Sequence, residues 1–347
     1  MRKFRQVIFR VIAAVCLIAG GILVVRFAQA FLAPDAPAEQ PVTRIKLTGL
    51  LADPSAEISG MDWYGDYLVM LPQYPDQLAE SGDGFVFALP KADILAYLDG
   101  QNTQPLEPIV VPLEAPGLRE KILEYEGFES IGFLGDRAYL TIEAGEDEHM
   151  MGYLVSGLMA PDLSKLTIDT DRLTLIPSQT EMDNKADEAI IVLEDRIITL
   201  YEANGAAINP QPVAHVFSLD LQPQATLPAP ALEYRLTDAT SVSHGNRFWV
   251  VNIFFFYKDG NLKPASDPLT ETFGKGPTHA FFYAVERLVE MEYSESGVTL
   301  TDTPPVQLSL PSLLTRNWEG LVLLDERGFL LMTDKFPVTM LAFVPMP

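Results

Sequence analysis

Five acidic residues, Glu57, Glu129, Glu188, Asp238 and Glu319, lead five segments of similar layout. In each, a small residue stands close behind the acid, then come a hydrophobic stretch, a polar turn and an apolar run. Glu129-Ser-Ile-Gly-Phe-Leu-Gly-Asp136 and Glu188-Ala-Ile-Ile-Val-Leu-Glu-Asp195 are the plainest cases. A second polar residue follows at a nearly constant interval: Glu143, Glu202 and Asn252 lie 14 positions after their leads, and Asp334 lies 15 after Glu319. The first segment offers Gln73 or Asp76 there. Carboxylates brought together with no lysine nearby must protonate, spread apart or bind a cation. Oxygen ligands from Glu, Asp and Asn suit Ca²⁺, which tolerates an irregular cage. The expected metal set is therefore Glu57, Glu129, Glu188, Asp238 and Glu319, with Asn252 as an auxiliary ligand. A metal-free polar channel is the competing reading.

Two further residues bear on catalysis. With a bound cation polarising a substrate and its water, Glu319 or Glu129 would act as general base, and Arg316 or His244 would stabilise developing negative charge. Against this, Trp318 suits packing between repeated units, with Arg316 paired at their rim. The four histidines, His149, His215, His244 and His279, never fall at zinc-ligand spacing. Gly274-Lys275-Gly276-Pro277 is not a Walker loop, and no Gly-x-Ser-x-Gly elbow occurs.

The elements that must position these residues are strands. From Arg44 onward, short apolar runs alternate with Gly, Pro, Asp and Asn, and they are rich in β-branched and aromatic residues. Lys91–Leu98 reads as a helix, and Ala284–Met291 reads equally as helix or strand. Third strands are expected at Ala280–Val285 and its equivalents, and fourth strands at Pro108–Leu113, Leu173–Pro177, Glu233–Leu236 and Val306–Leu310. The repetition implies an all-β fold, a β-propeller of five or six blades, with a sandwich as the alternative. The last unit runs out of chain after three strands, so Arg44–Leu47 is expected to supply its fourth and close the ring.

The first forty residues are set apart before the fold is read. Arg2, Lys3, Arg5 and Arg10 precede an apolar run from Val11 to Val25, and Ala28-Gln29-Ala30 matches a signal-peptidase site. Residues 1–32 are thus a signal peptide or an uncleaved membrane anchor, 33–42 a linker and 43–347 the propeller domain. Export is expected, to the periplasm or to an inner-membrane anchor facing it. Contact with a membrane would then run only through the N-terminal segment. A net charge of −23 repels nucleic acid. The single cysteine, Cys16, leaves the exported part without disulfides.

Glu129-Ser-Ile-Gly, Asp187-Glu188-Ala and Asn317-Trp318-Glu319-Gly320-Leu321 followed by Met332-Thr333-Asp334 resemble the phytase-like, esterase-like propeller family. That resemblance implies acids at the start of blade strands and an Asp at the end of the next, a pattern Glu319 and Asp334 match best. Two functions stand open: a binding or scaffold role at the cell envelope, for a small molecule or an envelope component, and divalent-cation-dependent hydrolysis of phosphoesters or carboxylic esters at the channel.

Overall fold

The computed structural model describes residues 36–146, 149–243, 245–255, 257–311 and 315–347. Its architecture is all-β. Two short N-terminal strands, β1 (Glu39–Gln40) and β2 (Thr43–Ile45), precede a succession of antiparallel units. The first contains β3 (Ile58–Tyr64), β4 (Tyr67–Pro72), β5 (Phe85–Pro90) and β6 (Ile109–Glu114). The second contains β7 (Tyr125–Leu134), β8 (Arg137–Ala144), β9 (Met151–Met159), β10 (Leu166–Ile168) and β11 (Thr174–Ile176). The third is β12 (Asp187–Val192), β13 (Arg196–Tyr201), β14 (Val213–Ser218) and β15 (Pro223–Pro228). The fourth is β16 (Arg235–Ala239), β17 (Arg247–Phe255), β18 (Ala284–Ser294), β19 (Gly297–Leu300) and β20 (Val306–Leu308). The last is β21 (Trp318–Leu324), β22 (Gly328–Thr333) and β23 (Leu341–Pro345).

These units form four sheets rather than a set of separate blades. A parallel pairing of β6 with β10 fuses the first two units into one nine-stranded sheet. The opening strands β3, β7, β12, β16 and β21 are neighbours in cyclic order, and β21 returns to β3. Between successive units lies an apolar layer of its own: Met61 and Met70 meet Val322 and Met332, and Trp249 and Val251 meet Leu321 and Phe329. The layers leave little room. A Cβ on Gly60 would stand 2.8 Å from the Ser130 Cα, and one on Gly132 would stand 2.7 Å from the Val192 side chain. Glycine is required where inner strands approach this closely.

Local chemistry explains the hairpins. β3 and β4, like β7 and β8, join through two-residue turns, Gly65-Asp66 and Gly135-Asp136, whose glycines have φ of 57° and 59°. A Gly first in such a turn supplies the left-handed backbone that matches strand twist. β2 pairs antiparallel with β23, so Thr43, Arg44 and Ile45 complete the last unit with an N-terminal strand. Residues 39–40, within the expected linker, instead add β1 in parallel to β20 of the fourth unit.

Several expected elements differ. Glu233–Leu236 is not a fourth strand: β16 opens the fourth unit at Arg235, and β15 is the outer strand of the third. Residues 277–282 form a short helix, with Pro277 at its first turn where the missing N–H costs nothing. Ala284–Met291 is strand, as Val285 and Val289 favour, and Lys91–Leu98 is helix. The expected N-terminal signal or anchor segment, 1–32, lies outside the described residues. Membrane contact through a spanning helix is corrected: among the described residues no helix is long and apolar enough to cross a bilayer.

Candidate functional site

Glu129, Glu188 and Glu319 converge at one mouth of the ring, and each sits in a β-bulge. The registers jump between Phe128 and Ser130, between Asp187 and Ala189, and between Trp318 and Gly320. A bulge leaves one residue unpaired and re-aims its side chain, here towards the mouth. The hairpin then folds the second acids back to the same end. Glu143 stands opposite Gly127, Glu202 donates its N–H to the Ala186 carbonyl, and Asp334 donates its own to Asn317. Each partner lies two residues before the lead acid, so the interval of 14 or 15 is the length of one hairpin. Glu143 and Asp334 thereby share the mouth with the first acids, and Glu202 is buried behind them.

Glu129, Glu143, Glu188, Glu319 and Asp334 line a cavity of about 480 Å³ together with Glu57, Gln73, Tyr74, Lys185 and Arg235, while Glu202 is fully buried behind its wall. Arg235, at the start of β16, is buried among the acids. Its Nε donates to Glu202, Nη1 donates to the Asn317 Oδ1 at 2.7 Å, and Nη2 lies 3.3 Å from Glu319 and 3.6 Å from Glu188. Lys185 lies 2.9 Å from the second oxygen of Glu202. Asn317 also donates to Glu319 and to Asp334, tying the fourth and last units together. At the rim Lys335 pairs with Glu57.

Arg235 and Lys185 stand against the buried acids Glu129, Glu143, Glu188, Glu202, Asp259 and Asp334 and the half-buried Glu319. Opposite charges 4 Å apart attract by about 4 kcal/mol at an intermediate dielectric, so each cation offsets roughly one acid. Glu129, Glu143, Glu188 and Glu319 shift towards their neutral form. Burial raises Glu129 well above the usual carboxylate range, with Glu143 adding to it, and burial with Glu202 does the same for Glu188. Burial and Glu202 push Glu143 up to about 8, and burial and Asp334 push Glu319 up to about 7. Glu202 goes the other way: burial opposes ionisation, but Arg235 and Lys185 outweigh it and hold the group at about 2. Oε1 of Glu143 and Oε2 of Glu188 have no hydrogen-bond partner among the described residues.

The other expected site residues lie elsewhere. Asp238 is buried deeper in the ring and accepts the N–H groups of Ala239 and Leu321, which staples β16 to β21. Asp62, not anticipated from sequence, does the same from β3 to β7 through the Phe133 N–H and also accepts from Ser241. Asn252 donates to the Glu233 and Arg235 carbonyls and accepts from Arg287, all inside the fourth unit. Arg316 is buried between the last two units, 2.7 Å from Glu286, with its guanidinium against the Trp318 ring. The Trp318 Nε1 donates to the same Glu286 carboxylate. His244 lies outside the described residues. Lys185 and Arg235 gave no signal in the repeat, because neither stands at a lead position and their distance from the acids along the chain hides the contact.

The acids do not fit a Ca²⁺ ion as they stand. A guanidinium already lies between Glu188 and Glu319, Asp238 and Asn252 point away, and Glu57 is paired with Lys335. Among the described residues no group of three or more His, Cys, Asp or Glu side chains is placed to hold a metal.

No family model matches the chain, and no curated protein does. Solved structures similar to it include an exo-1,5-alpha-L-arabinanase from a bovine ruminal metagenomic library, at 8% identity over 82% of this chain and 90% of that one, TM-score 0.45. An alpha-L-arabinanase mutant from Cellvibrio cellulosa is 10% identical over 88% and 91%, TM-score 0.45. A hypothetical protein from Leishmania major is 12% identical over 93% and 94%, TM-score 0.45. The resemblance to the phytase-like, esterase-like family is corrected, since no family model matches the chain and the short motifs behind it are accounted for by the bulged hairpin. Likenesses this distant carry no conclusion about chemistry.

Proposed function

We propose that the chain is a five-bladed β-propeller, exported to the periplasm, that binds a small polar ligand at the acidic mouth of its ring. The observation that carries this reading is the roughly 480 Å³ cavity in which buried Glu143 and Glu188 each present an oxygen without a hydrogen-bond partner among the described residues. Leaving a buried polar atom unpaired costs about 1–3 kcal/mol, and a ligand group placed there recovers it. Neutral carboxyls beside a fixed guanidinium offer both donors and acceptors, the equipment for recognising a polar small molecule.

Ligand-observed NMR on the full chain with a mixture of polar metabolites tests the reading, with Asp183→Trp as the control. Asp183 is exposed at the cavity rim, so an indole there closes the mouth without disturbing the core. Binders lost in Asp183→Trp support the site, and binders retained unchanged place the ligand elsewhere and overturn it.

A second, hydrolytic reading rests on Glu319. Held at about 7 and open to the cavity, this carboxyl can give up and recover a proton near neutral pH. Turnover of a chromogenic ester, phosphoester or glycoside that falls at least about a hundredfold in Glu319→Gln would establish it, on the scale general acid–base catalysis supplies. Equal turnover in both proteins would remove it. Stoichiometric calcium in chelator-free protein, lost in Glu129→Gln, would restore the cation to the site.

A further inference from the structure

The cavity is charged unevenly. Towards the third, fourth and last units, Arg235 and Lys185 neutralise Glu202 and partly offset Glu188 and Glu319. Towards the first two units stand Glu129, Glu143 and the Tyr74 ring, with Glu126 close by. No lysine, arginine or histidine forms an ion pair with Glu126, Glu129 or Glu143 among the described residues. Among the described residues, the side-chain donor to Glu129 is the neutral Gln73 amide at 3.0 Å.

We propose that this half of the cavity is a subsite for a protonated amine, the primary ammonium group of a small organic ligand, held against Tyr74 between Glu129 and Glu143. The inference rests on the cavity being a ligand site and names the ligand's recognised group. An ammonium carries three N–H donors and no acceptor, the complement of a wall made of carboxyl oxygens. Glu143 is 2% exposed, lines the cavity and has an oxygen without a partner, so one acceptor is already aimed at the ligand. Tyr74 lines the same part of the cavity, and cations are attracted to aromatic rings within about 6 Å. The ring is held from behind: a Cβ on Gly127 would stand 3.2 Å from the Tyr74 ring and 2.5 Å from the Gln73 side chain. A compact ammonium fits this wall better than a hard divalent ion, which needs about 6–8 oxygen ligands.

The probes are 1,4-diaminobutane and its uncharged counterpart 1,4-butanediol, titrated into the full chain with melting temperature and heat of binding as readouts. The diamine should bind saturably and the diol should not. Glu143→Gln and Tyr74→Leu should each weaken the diamine about tenfold, about 1.4 kcal/mol, since the ammonium binds the ionised form of Glu143, which Gln cannot supply, and Leu removes the aromatic ring. Should the buried Glu143→Gln variant fold poorly, Glu126→Gln at the half-buried rim replaces it, with weakening again expected. Diamine binding unchanged in every folded variant overturns the proposal, because the amine then sits on the acidic surface. Equal binding of diamine and diol overturns it as well, yet leaves the cavity as a ligand site. Loss of all binding in Asp183→Trp with no preference for the diamine separates the two readings in the same way.

Discussion

Arg235 changes what the acids at the ring mouth can do. Without it, Glu188, Glu202 and Glu319 would be left with Lys185 alone, which pairs with Glu202. With it, Glu202 is an ordinary anion in a paired environment, while Glu129, Glu143 and Glu188 carry the surplus as protons. A pH dependence of stability follows, and its sign is set by two opposite shifts. Glu143 and Glu319, at about 8 and about 7 in the folded chain, ionise near 4.5 when unfolded. The folded state therefore holds protons the unfolded state has lost, and stability falls as pH rises from about 4.5 to about 8. Glu202 acts in reverse: its stabilisation is present above 4.5 and is lost as pH falls towards about 2. Urea midpoints measured from pH 3 to 9 should peak near the acid end of that range. Glu143→Gln, fixed in the neutral form, should flatten the decline on the alkaline side, and an unaltered slope would show that Glu143 is not protonated in the folded protein.

At the scale of elements, the site depends on bulged hairpins packed edge to edge. The bulges in β7, β12 and β21 send Glu129, Glu188 and Glu319 to the mouth, whereas the equivalent bulged position of β3 is Ser59, whose hydroxyl bonds to the Leu71 carbonyl. Glu57, expected as a lead, stands opposite Gln73 and takes the place of Gly127 in the second unit. Inner strands can converge only where side chains are absent. Gly60→Val would drive its Cβ to within 2.8 Å of the Ser130 backbone, and backbone cannot give way as a flexible side chain does. Overpacking of this kind costs about 1–3 kcal/mol. Chemical denaturation should register that loss, and a variant as stable as the parent would mean that the strands are less closely set.

For the whole molecule, stability turns on closing the ring. β2 is the outer strand of the last unit, and Ile45 lies fully buried among Leu51, Met61, Leu341 and their neighbours. Removing residues 1–46 would expose the β23 edge and open the apolar layer between the last and first units. Such edges template aggregation. Removing 1–36 leaves β1 and β2 intact, and with them the Glu39 carboxylate that accepts from Thr278 and His279. The shorter deletion should melt as the parent does, while the longer one should lose its cooperative transition or aggregate. Equal melting of both would show that the ring closes without β2.

The sequence by itself determined the strand-rich class, the recurring hairpin, the helix at Lys91–Leu98 and the N-terminal strand that completes the last unit, since periodicity and turn residues are local properties. The acids Glu129, Glu188 and Glu319 were legible for the same reason: their partners lie one hairpin away at a constant interval. What only the tertiary structure decided was their company. Arg235 meets Glu202 across 33 residues and Asn317 across 82, and Lys335 meets Glu57 across 278. It likewise decided that Asp238 and Asn252 serve as internal staples. Charge balance at a ring axis is set by which strands become neighbours, and packing between units that are distant in the chain carries no periodic mark.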